Sequence, residues 1–211
     1  MKILSLETTS EIGSLAFLED NEIKYEVYFN DFDISGQLTP NLLNLLKKSH
    51  IALSEIDYFV VSNGPGSWTG TRGGLSFTLG LAKGDRTRIY SISLPQSIFF
   101  GIKDLNLPAI NLINAYSGKL YVSYFTSRFY YKSSYLPEKK TIEEILETDL
   151  LKNLLIVGPG VSLLNERVKN TKNFKVAKNH FFPRAGINGL LAYEKIKRGI
   201  PSLDLKPYYG K

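Results

Sequence analysis

The chain contains no cysteine, which excludes a disulfide scaffold, a thiolate nucleophile, an iron–sulfur cluster and any cysteine-based zinc site. Histidine is almost as scarce. His50 and His180 are the only two, far apart and without the His-x-x-x-His spacing that lets two imidazoles on one helix face share a metal; no metal site is expected. No apolar run approaches the ~20 residues of a membrane span. The opening stretch Ile3-Leu4-Ser5-Leu6 is also too short for a signal-peptide core, so a soluble, cytoplasmic protein is expected. The glycines and prolines are scattered as punctuation, without a collagen-like or linker-like run.

What remains is globular in composition. At 211 residues, with 43% hydrophobic and 22% charged, the chain is long enough for one large domain or two small ones and too apolar for disorder. The net charge is +6, a balance that favours contact with nucleic acid or acidic proteins. The cations are spread along the chain, however, and the densest runs are the pairs Lys47-Lys48 and Lys139-Lys140, which ordinary solvation explains equally well.

Periodicity orders the elements. Strands are expected at 2–7, 14–19 and 22–29, with Asp20-Asn21 as a two-residue hairpin turn. Leu38, Leu42, Leu45 and Leu46 then form one stripe of a helix from about residue 36 to 50. A strand at 58–62, a glycine-rich loop, a helix at 70–83, a strand at 88–93 and a short helix at 95–103 complete a β-β-β-α-β-α-β-α series. After Pro108 the pattern restarts: strands at 109–114, 119–128 and 129–135, a helix at 142–151 whose Thr141 and Glu144 have capping-box spacing, strands at 154–157 and 174–176, and a last helix at 185–198 stopped by Gly199. Two tandem halves of this kind point to a duplicated α/β fold in two lobes, with a boundary near residue 104. The lobes would be 1–104 and a smaller 105–211 carrying the C-terminal helix and tail. The best-known architecture built this way is the actin-like, RNase H-like one.

The most informative segment is Asn63-Gly64-Pro65-Gly66-Ser67-Trp68-Thr69-Gly70-Thr71-Arg72-Gly73-Gly74. It leaves an apolar strand and opens a helix, where backbone N–H groups gather and anions are held. It lacks the Lys-Ser/Thr of a P-loop and the spacing of a dinucleotide fingerprint. An anion site using Thr8, Gly64, Gly66, Ser67 and Gly70 and a purely structural tight turn are both open readings. Ser67 and Thr69 are expected to cap the helix rather than to act as nucleophiles. Glu7 and Glu11 make either a carboxylate pair for acid–base work or a solvated strand end. The tyrosines and phenylalanines at 121, 124, 125, 129, 130, 131 and 135, interleaved with Arg128 and Lys132, either stack RNA bases or pack a sheet.

This loop closely resembles the Gly-Pro-Gly-Ser-Phe-Thr-Gly-Leu-Arg-Ile-Gly signature of the TsaB (YeaZ) family. The start Ile3-Leu4-Ser5-Leu6-Glu7-Thr8-Thr9-Ser10 is similar to that family's Leu-Ala-Ile-Asp-Thr opening, the segment Ile113 to Tyr121 to its Ile-Asp-Ala-Arg-Arg-Gly-Glu-Val-Tyr stretch, and Leu205-Lys206-Pro207-Tyr208-Tyr209 to its tail. The resemblance implies an actin-like fold and a place in tRNA threonylcarbamoyladenosine synthesis. It implies a non-catalytic paralogue that pairs with the TsaD transferase subunit, is joined by the TsaE ATPase, meets tRNA only through that complex, and forms homodimers when alone. ATP and Mg would then be held by the partner subunits, in keeping with Glu7 and Thr8-Thr9 standing where actin-like ATPases have aspartate and a glycine. The expected partner face is Leu42, Leu46, Trp68, Arg72, Leu75 and Leu79 on the first two helices, with Leu43 a further exposed apolar position. The alternative is an actin-like kinase or peptidase-like hydrolase using the inter-lobe cleft; a third reading is a stand-alone RNA-binding module.

Overall fold

The computed structural model describes residues 1–30, 34–125, 137–146, 154–164, 175–176 and 182–209. Its first sheet holds β1 (Lys2–Glu7), β2 (Ile12–Glu19), β3 (Glu22–Asn30), β4 (Tyr58–Ser62) and β5 (Ile89–Ile92) in the order β3-β2-β1-β4-β5. The three N-terminal strands are antiparallel, and β1, β4 and β5 run parallel. Asp20 turns the β2–β3 hairpin with φ +53°, a left-handed conformation that aspartate tolerates better than most residues. The second sheet holds β6 (Ala109–Asn114), β7 (Lys119–Phe125), β8 (Glu138–Thr141), β9 (Leu155–Val157) and β10 (Lys175–Val176) in the order β10-β9-β6-β7-β8. Read from the opposite edge, this is the same order with the same strand senses. The duplication expected from element order is therefore present, although the third strand of the second half is Glu138–Thr141. The strand expected at 129–135 lies outside the described residues.

Both sheets are covered on both faces, so their central strands read as nearly continuous apolar runs. Helices α1 (Ile34–Ser49) and α2 (Trp68–Leu81) lie on the outer face of the first sheet. Leu38, Leu42, Leu45 and Leu75 meet Leu4, Leu6, Leu15 and Val61 there. Between the sheets lie α3 (Leu94–Gly101) and the C-terminal helix, which is α5 (Ala185–Lys197) because the short α4 (Ile142–Leu146) precedes it. Ala185, Leu191 and Ala192 of α5 pack on Ile3, Ala16, Leu18 and Val60 of the first sheet. Leu94, Ile98 and Phe99 of α3 pack on Ala109, Ile113, Phe125 and Val157 of the second. Ile145 of α4 covers the outer face of the second sheet, and Thr141 and Glu144 form the expected capping box, with N–H···O distances of 2.7 and 3.2 Å.

The expected boundary at residue 104 falls between α3 and β6, and packing crosses it. The two halves exchange helices: α3, from the first half, covers the second sheet, and α5, from the second half, covers the first. Each inner sheet face requires apolar cover, and sequence order does not say which helix supplies it.

Candidate functional site

The loop after β4 is built from its own chain. Ser67 is the N-cap of α2, its Oγ accepting from the Gly70 N–H at 3.1 Å, while the Thr71 hydroxyl donates to the Ser67 carbonyl at 2.6 Å. Thr69 lies exposed in the first turn. The β1–β2 turn presses onto this loop. The Ser67 N–H donates to the Thr9 carbonyl at 2.7 Å, and the Thr8 hydroxyl donates to the Gly70 carbonyl at 2.7 Å. A Cβ on Gly66 would stand 2.2 Å from the Thr9 carbonyl oxygen, and one on Gly74 2.2 Å from Thr8 Oγ1. The glycine spacing thus admits the turn against α2. Gly64 takes φ +98° beneath the Tyr208 carbonyl, a conformation that favours glycine. Thr8, Gly64, Gly66, Ser67 and Gly70 lie together, with the Thr8 and Ser67 hydroxyls engaged in holding α2.

Glu7 corrects the expectation of a solvated strand end. Its side chain is completely buried, whereas Glu11 is exposed. The carboxylate accepts from the Thr9 N–H at 2.6 Å, the Thr9 hydroxyl at 2.5 Å and Asn188 Nδ2 of α5 at 2.9 Å. The Ser97 hydroxyl of α3 completes the network at Asn188 Oδ1. Burial pushes the Glu7 carboxyl above the usual carboxylate range, against the opposing pull of the Thr9 and Asn188 hydrogen bonds. Asn188 and Ser97 had no distinguishing sequence signal beyond a lone amide in the apolar run Ile187-Asn188-Gly189-Leu190-Leu191.

Across from Thr9–Glu11 and Gly66-Ser67 stand Ile113 and Asn114 at the end of β6, with Tyr116 and Pro159 beyond the strands of the second sheet. The cleft between them measures about 50 Å³, far below the roughly 300 Å³ at which small-molecule sites begin. His50 sits exposed just past α1 with φ +53°, and His180 lies outside the described residues. Among the described residues no cluster of histidine and acidic side chains could hold a metal. No described helix is long and apolar enough to cross a membrane.

The expected partner face is divided. Leu42 and Leu75 are each only 4% exposed and belong to the core between the sheet and its helices, so they cannot present a surface without unfolding. This corrects their assignment; the physical reason is that the apolar stripe must first cover its own sheet. Leu46 and Leu79 are partly buried at the margin of that core. Leu43 is 61% exposed and Trp68 53% exposed, with Arg72 exposed one turn on from Trp68. A Cβ on Gly73 or Gly80 of α2 would meet open space, leaving that helix surface low enough for another element to approach closely. The aromatic residues Tyr121, Tyr124 and Phe125 are on β7, with Phe125 stacked on Phe99 at 4.4 Å inside the fold.

Comparison with known proteins fits this arrangement. A family model described as TsaD, tRNA N6-adenosine threonylcarbamoyltransferase, matches residues 34–185. The tRNA threonylcarbamoyladenosine biosynthesis protein TsaB of Bacillus subtilis is 25% identical over 206 residues, covering 92% of this chain and 88% of that protein. The protein of the same name from Buchnera aphidicola is 28% identical over 172 residues, 75% of each chain. The solved structure of YeaZ from Pseudomonas aeruginosa superposes with a TM-score of 0.77 over 99% of both chains at 19% identity.

Proposed function

We propose a scaffold role for this chain, which belongs to the TsaB (YeaZ) family and has its actin-like fold. In this reading it is a non-catalytic subunit in tRNA threonylcarbamoyladenosine synthesis. It binds a TsaD-type transferase subunit through the outer surface of α1 and α2, and the pair recruits a TsaE-type ATPase and meets tRNA. Its work is differential binding, the stabilisation of one partner conformation over others. Alone, the same surface pairs two copies of the chain.

The observation that carries the reading is the apolar surface left on α1 and α2 after both have covered their sheet. Leu43 and Trp68 stand exposed beside half-covered Leu46 and Leu79, and Gly73 and Gly80 offer close approach. Apolar and aromatic side chains with an arginine are the composition of an interface core. The small cleft and the internally engaged loop support assigning ATP, Mg and catalysis to the partner subunits rather than to this chain.

The test is co-purification with the TsaD-type subunit of the same organism, read by light scattering. Wild-type chain should form a discrete complex, and Leu43→Glu should lose it while keeping its melting temperature. Leu42→Glu should instead unfold the chain, because a carboxylate would enter the sealed core. A complex indifferent to Leu43→Glu and Leu46→Glu would sink the assignment of this face.

A further inference from the structure

Beyond α5 the chain returns across both sheets. The Leu203 N–H donates to the Ser91 carbonyl at 3.1 Å and Ser202 Oγ accepts from the Ser91 N–H at 2.8 Å, so the segment runs along β5, an edge of the first sheet. Asn63 holds it twice, through Nδ2 to the Asp204 carbonyl at 3.3 Å and through its carbonyl, which accepts from the Tyr208 N–H at 2.8 Å. The Tyr208 hydroxyl donates to the Pro137 carbonyl at 3.1 Å, and the Tyr121 hydroxyl of β7 donates to the Tyr209 carbonyl at 2.5 Å. The segment therefore ties the two sheets together. It ends on the expected partner face: the Tyr209 ring stacks on Trp68 with centroids 4.2 Å apart, the Arg72 guanidinium lies 3.7 Å from the Trp68 ring centre, and Arg72 Nε donates to the Tyr209 hydroxyl at 2.7 Å.

Two features bear on how this closure is held. An open cavity of about 450 Å³ borders the segment, lined by Asn63, Ser93 and Pro137 together with Pro201 and Pro207. The segment is held from Ile200 to Leu205 by the Tyr90 hydroxyl, Ser91, Asn63 and the packing of Leu205 at the margin of the first core, and at its tip by the bonds of Tyr208 and Tyr209. Tyr209 also covers its platform only in part, since Trp68 remains 53% exposed. The Tyr209 ring itself is held by one stacked pair and one exposed hydrogen bond to arginine, contacts of a size that bias an equilibrium without locking it, while its carbonyl is tied to the Tyr121 hydroxyl.

We propose that Tyr209 is a reversible cover on the Trp68–Arg72 platform, competing with a partner protein that presents an aromatic side chain to the first turn of α2. Tyr209 itself defines the chemistry that fits: a phenol ring flat on the indole, with its oxygen accepting from Arg72. The competition rests on the docking face proposed above; the cover does not. In this arrangement, partner binding releases the segment and with it the Tyr121 and Pro137 ties to the second sheet.

Trp68 is the only tryptophan in the chain, so intrinsic fluorescence reads the platform directly. In the full-length chain, Tyr209→Ala should raise acrylamide quenching of Trp68 and blunt the ring-contact quenching of its emission, with circular dichroism unchanged. Tyr209→Phe, which keeps the stack and loses the Arg72 bond, should fall between the two. Light-scattering titration with the TsaD-type subunit should then show Tyr209→Ala binding roughly threefold to tenfold more tightly, the gain expected when one aromatic pair ceases to compete. Unchanged quenching in both folded variants overturns the cover. Raised quenching with weaker partner binding overturns the competition and makes Tyr209 part of the interface. Raised quenching with no complex from either chain overturns the scaffold reading and the competition together, and supports the cover alone.

Discussion

Lys195 offers a direct test of the packing between the sheets. It lies on α5 with no exposed surface, among Tyr90, Leu191, Ala192 and other apolar groups. Its Nζ meets Gln96 Oε1 at 3.4 Å, a long hydrogen bond, and stands 5.9 Å from the centre of the Tyr90 ring. Burial pulls the amine from 10.5 down to about 8. Below pH 8 the amine is charged in both the folded and the unfolded chain, and the folded state bears the whole cost of burying that charge. Between about 8 and 10.5 the unfolded chain keeps the proton and the folded chain has released it, so stability rises with pH across that window. A shift of this size corresponds to about 3 kcal/mol. Lys195→Met fills similar space without the charge, so it should stabilise the protein at pH 7 by about 1–3 kcal/mol once the lost Gln96 bond is discounted, or roughly 2–4 °C in melting temperature per kcal/mol for a chain of this length. Urea denaturation of both chains at pH 7, 8, 9 and 10 checks it, with the advantage of the variant expected to shrink steadily towards pH 10. Burial pushes the Tyr28 and Tyr90 phenols up to about 12, and these titrate in both chains, so the difference isolates the amine. A difference that is constant with pH, or a variant less stable at pH 7, would refute the reasoning.

Three further substitutions address the contact of the β1–β2 turn with α2. Gly74→Ala places a methyl against Thr8 Oγ1 and should destabilise by about 1–3 kcal/mol; with Thr8→Ala added the two costs should be less than additive in urea titrations, because the clash and the bond it breaks are one interaction. Glu7→Gln tests the buried carboxylate. With its folded-state value raised, the wild-type carboxyl keeps a proton that the unfolded chain has lost, so wild-type stability falls as pH rises from 4.5 through the raised value. The glutamine chain should show a flatter profile over the same acidic range, and identical profiles would mean that Glu7 is not the group responsible.

Much of the fold was legible because hydrophobic period changes cleanly between strand and helix. The strands at 2–7, 58–62 and 109–114 fall where alternation and apolar runs put them, and the repeat of element order corresponds to two sheets of identical topology. β8 was hidden because Glu-Lys-Lys-Thr carries no apolar alternation; it is fixed by pairing with β7. The exchange of α3 and α5 was hidden for a different reason: their sequences are apolar around most of their circumference, which says that a helix is buried and not between which sheets. On α1 the stripe gave the correct buried set, yet adjacent Leu42 and Leu43 diverge by about 100° around the axis, and only the position of the sheet decides that the first is core and the second surface. Tyr209 escaped altogether, since an irregular tail carries no periodicity from which its landing point could be inferred.

The contacts around Glu7 link the loop after β4 to the first two turns of α2. Glu7 fixes Thr9 through two hydrogen bonds, Thr9 accepts from the Ser67 N–H, and Thr8 holds the Gly70 carbonyl. The start of α2, which carries Trp68 and, one turn on, Arg72, is therefore positioned from the end of β1, and Glu7 is in turn held by Asn188 on α5 and through it by Ser97 on α3. A helix N-terminus left with free N–H groups would suit an anion; here the Ser67 Oγ occupies the Gly70 N–H and the β1–β2 turn fills the space against Gly66. The same bonds that engage those groups anchor the start of α2 to the end of β1 and through it to both inner helices, so the docking proposed on Trp68 would press against a helix end held from within the fold.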